Sequence, residues 1–106
     1  MGPRTLLSRR SRIHLELAGW ARARQHRELG AFAGYCIARL EREVGTLTWV
    51  VTVAPDPQGG FSSRIVACQD GAEVGAPGAG KDATLAIWDA ICNIEQTLRE
   101  QVRAAS

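Results

Sequence analysis

Apolar residues recur along this chain at spacings that separate helix from strand. Leu29, Phe32, Ala33, Cys36, Ile37, Leu40 and Val44 follow the i, i+3, i+4, i+7 pattern of an amphipathic helix. Glu28, Arg39, Glu41 and Arg42 lie on its outer face, and Gly45 predicts its C-terminal end. Upstream, Ile13, Leu17 and Trp20 also fit a helical stripe, with Ser11 as its N-cap. At about 100° per residue the two stripes centre roughly 165° apart. One unbroken helix would therefore show apolar surface on opposite sides. A break or kink near Gly30 is expected; the alternative is one long helix whose first half docks on another subunit. Gly30 and Gly34 each cost a helix interior about 1 kcal/mol relative to alanine, which points to a packed element passing close by.

The period then changes. Thr46–Pro55 is rich in β-branched and aromatic residues and predicts a strand. Asp56–Gly60 is a turn by composition, and Phe61–Cys68 is the antiparallel return strand. Gln69–Gly71 forms a second turn, after which AEVGA is a short third strand. From Lys81 the helical period returns: Ala83, Ile87, Ile91, Ile94, Leu98 and Val102 form one stripe, broadened by Leu85, Trp88 and Cys92. The expected class is α+β: an N-terminal helical region, an antiparallel hairpin or three-stranded sheet, and a long C-terminal helix packed on it. Residues 1–27 would form a basic arm or helix and residues 28–106 the compact domain.

Charge sharpens that division. The net charge is only +2, but residues 1–27 hold seven arginines against Glu16, a net +6, and leave −4 on the rest. Within the basic segment Arg9, Arg10, Arg12, Arg22, Arg24 and Arg27 are candidate contacts for nucleic acid or an acidic partner. Ile13, Leu17 and Trp20 are the candidate interface, and Trp20 could also stack on a base. At 106 residues the chain excludes large enzyme scaffolds such as the (β/α)₈ barrel, which needs about 250. No run approaches the roughly 18 apolar residues of a membrane span. Cys36, Cys68 and Cys92 are odd in number and each sits among apolar residues, as buried reduced thiols do. His14 and His26 form no ligand cluster with them, so no metal site is expected. The Arg9–Arg10 pair is not followed by the uninterrupted apolar run of an export signal, and a cytoplasmic location is expected.

GAPGAGKD, Gly75–Asp82, matches most of the phosphate-loop pattern and resembles the loop of adenylate kinases. Gly78, Gly80 and Lys81 would form an anion-binding loop there. Asp82 stands where most such loops carry the magnesium-binding Ser or Thr, and the preceding strands predict a hairpin rather than a parallel sheet. A flexible glycine loop leading into an N-capped helix is the plainer expectation, with Asp82 suited to the helix dipole.

Residues 48–103 resemble the N-terminal domain of HicB-type antitoxins. The resemblance rests on Trp49–Val53, Pro55-Asp56, Gly59-Gly60-Phe61, Arg64–Cys68, Gly75 and Ala83…Ala90-Ile91. It implies a strand–turn–strand unit followed by a helix, and an antitoxin role. The chain departs from that family at Lys81-Asp82, where an acidic pair is usual, and in its longer loop. Its extra N-terminal region and the lack of a counterpart to the family's DNA-binding domain are further departures. The order of elements is also similar to that of double-stranded-RNA-binding domains, although of that family's phosphate-gripping lysine pair only Lys81 is present.

No catalytic constellation emerges: the pairs Asp56/Asp70 and Asp82/Asp89 lack a surrounding motif, and Ser62 and Ser63 lack a nearby histidine. The expected function is a small non-catalytic regulatory or adaptor protein acting by protein contact, as a homodimer, without a cofactor. A nucleic-acid binder using the arginines is the alternative. A third is a phage or mobile-element inhibitor of a nucleic-acid-handling complex, its acidic part imitating phosphate.

Overall fold

The computed structural model describes residues 12–17 and 19–105. Six elements follow one another: β1 (Arg12–Leu17), α1 (Ala23–Val44), β2 (Thr48–Pro55), β3 (Phe61–Gln69), β4 (Ala72–Gly80) and α2 (Ala83–Ala105). The strands form one sheet in the order β1-β2-β3-β4, with β1 parallel to β2 and the other pairs antiparallel. Both helices cover the same face of the sheet, so the α+β class expected from the sequence holds.

Alternation explains the layering. On β2, Trp49, Val51 and Val53 are buried while Thr48, Val50, Thr52 and Ala54 remain half-buried on the opposite face. Ile65 and Ala67 of β3 and Ala76 of β4 continue the buried layer. Against it pack Leu29, Ala33, Ile37 and Leu40 of α1 with Ile87, Ile91, Ile94 and Leu98 of α2, as the two helical stripes require.

The N-terminal expectation needs correction. Residues 12–17 are a strand, not the first turns of a helix, and they join the main sheet rather than forming a separate arm. The apparent helical pair Ile13 and Leu17 fits period 2 equally well once Leu15 is counted, since RIHLEL alternates strictly. The phase jump between the two stripes is thus a strand-to-helix boundary. No break occurs near Gly30: α1 runs through Gly30 and Gly34, where an added Cβ would meet Leu15 and Ile13 of β1 only at ordinary contact distance, so the expected close approach of a packed element does not occur there. Gly45 ends the helix with φ +90°, as expected.

The glycine segment is the second correction. Asp70 and Gly71, with φ of +51° and +84°, form a two-residue hairpin turn whose geometry suits the twist of the flanking strands. It sets the pairing of β3 with β4 all the way from Gln69–Ala72 to Phe61–Gly80. Gly75–Gly80 is therefore strand, not loop. Gly78 and Gly80 face α2 so closely that a Cβ on Gly78 would overlap the backbone of Ala86 and Ala90, and one on Gly80 would lie 2.6 Å from the Ala86 nitrogen. Low strand propensity is overridden here because only glycine admits the helix.

Glycines on the two helix-facing surfaces should respond oppositely. Gly78→Ala is expected to cost at least about 2 kcal/mol through overpacking. Gly30→Ala, where the added methyl meets only Leu15 at 3.7 Å, should stabilise the protein by up to about 1 kcal/mol. Urea titrations of both variants followed by circular dichroism check the pair.

Candidate functional site

The structure disperses the arginines of the basic segment. Arg9 and Arg10 lie outside the described residues. Arg12 opens β1 on the uncovered face of the sheet, beside Thr48 in register. Arg22, Arg24 and Arg27 are exposed around the start of α1, past the other end of that strand, roughly 17 Å away at strand rise. Arg24 pairs with Glu28 at 3.2 Å, and the Arg22 backbone N–H donates to the Gln25 carboxamide at 3.0 Å. No continuous basic stripe results among the described arginines.

The expected interface residues all pack against the core of the fold. Ile13 and Leu17 are half-buried and pack against the core beside α1. The Trp20 indole N–H donates to the Val53 carbonyl at 2.8 Å, and its ring packs 5.0 Å from Phe61. Gly78 and Gly80 are occupied by α2, and Lys81 stands exposed just after β4. Asp82 caps α2 as expected, its carboxylate accepting the Leu85 N–H at 2.9 Å. The glycines thus form no phosphate-cradling loop.

A different surface draws together residues suited to binding. On the outer side of the helix pair Tyr35 is 66% exposed, Leu85 46% and Trp88 44%. Tyr35 and Arg39 share one face of α1, four residues apart, and Leu85 and Trp88 share one face of α2, three apart. Arg39 and Trp88 line one cleft of about 120 Å³, to which Leu40 and Ile91 also contribute. That volume suits a single side chain; sites for small organic ligands run from about 300 Å³. Below the aromatics, Arg99 holds Glu43 with two bonds of 2.8 Å and Glu95 with one of 2.7 Å, tying α1 to α2. This lowers the Glu43 pKa, chiefly through its hydrogen bonds to Arg99, and raises that of Arg99. Among the described residues Arg39 makes no ion pair within 4 Å, although its charge acts on Glu43, and its side chain lines the cleft with Trp88.

Sequence reasoning missed this patch, although a signal was present. The stripe Ala83, Ile87, Ile91, Ile94, Leu98 suffices to cover a sheet. Leu85 and Trp88 widen it beyond what the core uses. Excess width on an amphipathic helix marks apolar surface left for another purpose.

All three thiols titrate above the ordinary cysteine value. Cys36 is buried, and burial pushes its pKa up against the opposing pull of Arg39. Burial raises that of Cys92, with Glu95 and Asp89 adding to it. Cys68 is raised by desolvation and by Glu73, to whose carboxylate it donates at 3.7 Å. No group of three potential metal ligands occurs among the described residues, and no helix of the described residues is long and apolar enough to cross a membrane.

A four-stranded mixed sheet with two helices on one face defines the structural class, and solved proteins share it. No protein-family profile matches the chain, and no curated relative does. The crystal structure of the Protein Y N-terminal domain from Thermus thermophilus is similar with a TM-score of 0.67 at 18% identity, covering 86% of this chain and 97% of that one. At that identity the likeness establishes the fold.

Because all three thiols titrate high, they remain protonated near neutrality. Iodoacetamide labelling of the native protein at pH 7.5 is expected to run slower at each cysteine than in the urea-unfolded chain. Peptide mass spectrometry resolves the three rates.

Proposed function

We propose that this protein is a small non-catalytic regulatory or adaptor domain that acts by protein contact through the outer face of its helix pair. The observation that carries this is the exposure of Tyr35, Leu85 and Trp88 on the two helices, with Trp88 and Arg39 lining one side-chain-sized cleft between them. Tryptophan, tyrosine and arginine are the residue types that dominate binding energy at protein interfaces. The partner suited to this face inserts an apolar side chain beside Trp88 and offers a carboxylate to Arg39. The resemblance of residues 48–103 to HicB-type antitoxins supports the same class of action. Three free cysteines fit a reducing compartment such as the cytoplasm.

Nucleic-acid binding is the second reading, favoured by one observation: Arg22, Arg24 and Arg27 are exposed around the N-terminus of α1, where the helix dipole adds positive potential.

Affinity capture from the native host with the wild type and a Tyr35→Ala/Trp88→Ala variant separates the two. A nuclease-resistant protein partner, retained by the wild type and reduced at least about tenfold by the variant, is expected, since one interface hot spot is worth 2 kcal/mol or more. Unchanged capture by a variant with a native circular dichroism spectrum would overturn the proposal. Binding to generic RNA that falls steeply with salt and disappears in Arg22→Gln/Arg24→Gln/Arg27→Gln would establish the alternative.

A further inference from the structure

The two rims of the sheet are finished differently. At the C-terminal half of β4 two outward main-chain groups are bonded by α2: Asp89 accepts the Ala79 N–H at 3.0 Å and the Asn93 carboxamide donates to the Pro77 carbonyl at 2.7 Å. Pro77 also lacks an N–H, so the rim cannot extend the ladder there. At β1 no such cover exists among the described residues; the strand pairs with β2 alone. Ile13, Leu15 and Leu17 remain half-exposed, whereas Trp49, Val51 and Val53 beside them are buried.

The direction of the free bonds follows from the pairing with β2. Arg12 donates to the Leu47 carbonyl, so Arg12, His14 and Glu16 turn their main-chain groups toward β2 and Ile13 and Leu15 turn theirs outward. Leu17 also faces outward, but its carbonyl accepts the Gly19 N–H.

We propose that β1 pairs antiparallel with β1 of a second copy, about a two-fold axis through His14, joining the two sheets into one. In this register Ile13 stands opposite Leu15 of the second copy, twice over, exchanging about four main-chain hydrogen bonds and covering the exposed flanks of both. On the open face Arg12 stands opposite Glu16 of the second copy, also twice. Shifting the register one way would set Arg12 against His14 of the second copy and lose both ion pairs. Shifting it the other way would engage Leu17, whose carbonyl is already used. A shift of one residue would put apolar side chains opposite charged ones. The order Arg-Ile-His-Leu-Glu is thus complementary to itself, which selects a second copy as the occupant. The dimer leaves Tyr35 and Trp88 unused and stands independently of the helix-face proposal.

Light scattering over a concentration series tests it on the full chain. The expected mass is twice 11.5 kDa. Arg12→Glu or Glu16→Arg alone should raise the dimer Kd at least about tenfold by setting like charges opposite each other. The double exchange should restore it to within about threefold. His14→Cys should form a disulfide-linked dimer under mild oxidation, because residues facing across the axis lie about 4.5 Å apart at Cα. Arg12→Cys and the wild type should form none. A monomer at every concentration would overturn the proposal, as would single exchanges without effect or a double exchange without rescue. Loss of the dimer in Trp88→Ala, with β1 variants unaffected, would assign dimerisation to the helix face instead.

Discussion

The close approach of α2 to β4 is the constraint on which the remaining packing depends. Gly78 and Gly80 bring the helix backbone against the strand backbone, nearer than any side chain would permit. Asp89 and Asn93 can then reach the rim of β4 and satisfy its outward groups. With α2 seated over β4 and β3, the opposite half of the same face is left for α1, which crosses toward β1 over Gly30 and Gly34. The placement of α2 on the sheet therefore follows from two missing side chains.

Polar bonds anchor the other half. The half-buried Glu41 carboxylate accepts both the Leu47 N–H at 2.9 Å and the Trp49 indole N–H at 2.8 Å, fastening the end of α1 to the start of β2. Trp20 fastens the opposite end through Val53. Each bond satisfies a donor that would otherwise lose its partner on folding, and losing one partner costs about 1–3 kcal/mol. The two ends of the β1–α1–β2 unit are thus pinned by indole donors, which accounts for two of the three tryptophans. Trp88, the third, makes no such bond among the described residues and stands at the surface.

That division of labour among aromatic residues bears on function. Trp49 and Trp20 are committed to the fold, while Tyr35, Leu85 and Trp88 extend beyond it, next to an arginine without an ion pair. Of these, Trp88 also lines the cleft between the helices together with Arg39. The basic N-terminal segment, conspicuous in the linear charge distribution, loses that prominence in three dimensions because a strand separates Arg12 from Arg22, Arg24 and Arg27.

Local patterning was enough to identify α1 from Leu29 to Val44, the β2–β3 hairpin, both turns and α2 with its Asp82 cap, because each is dictated by side-chain period or by residues suited to positive φ. The same information left Ile13 and Leu17 ambiguous: a four-residue spacing fits one helical turn and two strand steps alike, and only pairing with β2 decides between them. GAPGAGKD was equally undecided, since glycine permits both a phosphate loop and a strand pressed against a helix. The surface patch was visible only as excess width on the α2 stripe. Which apolar residues a core consumes depends on how many neighbours reach it, and that is a property of the assembled sheet and helices rather than of any segment. Residue order thus set the elements; packing alone decided which strand begins the sheet, what the glycines are for and which aromatic residues remain exposed.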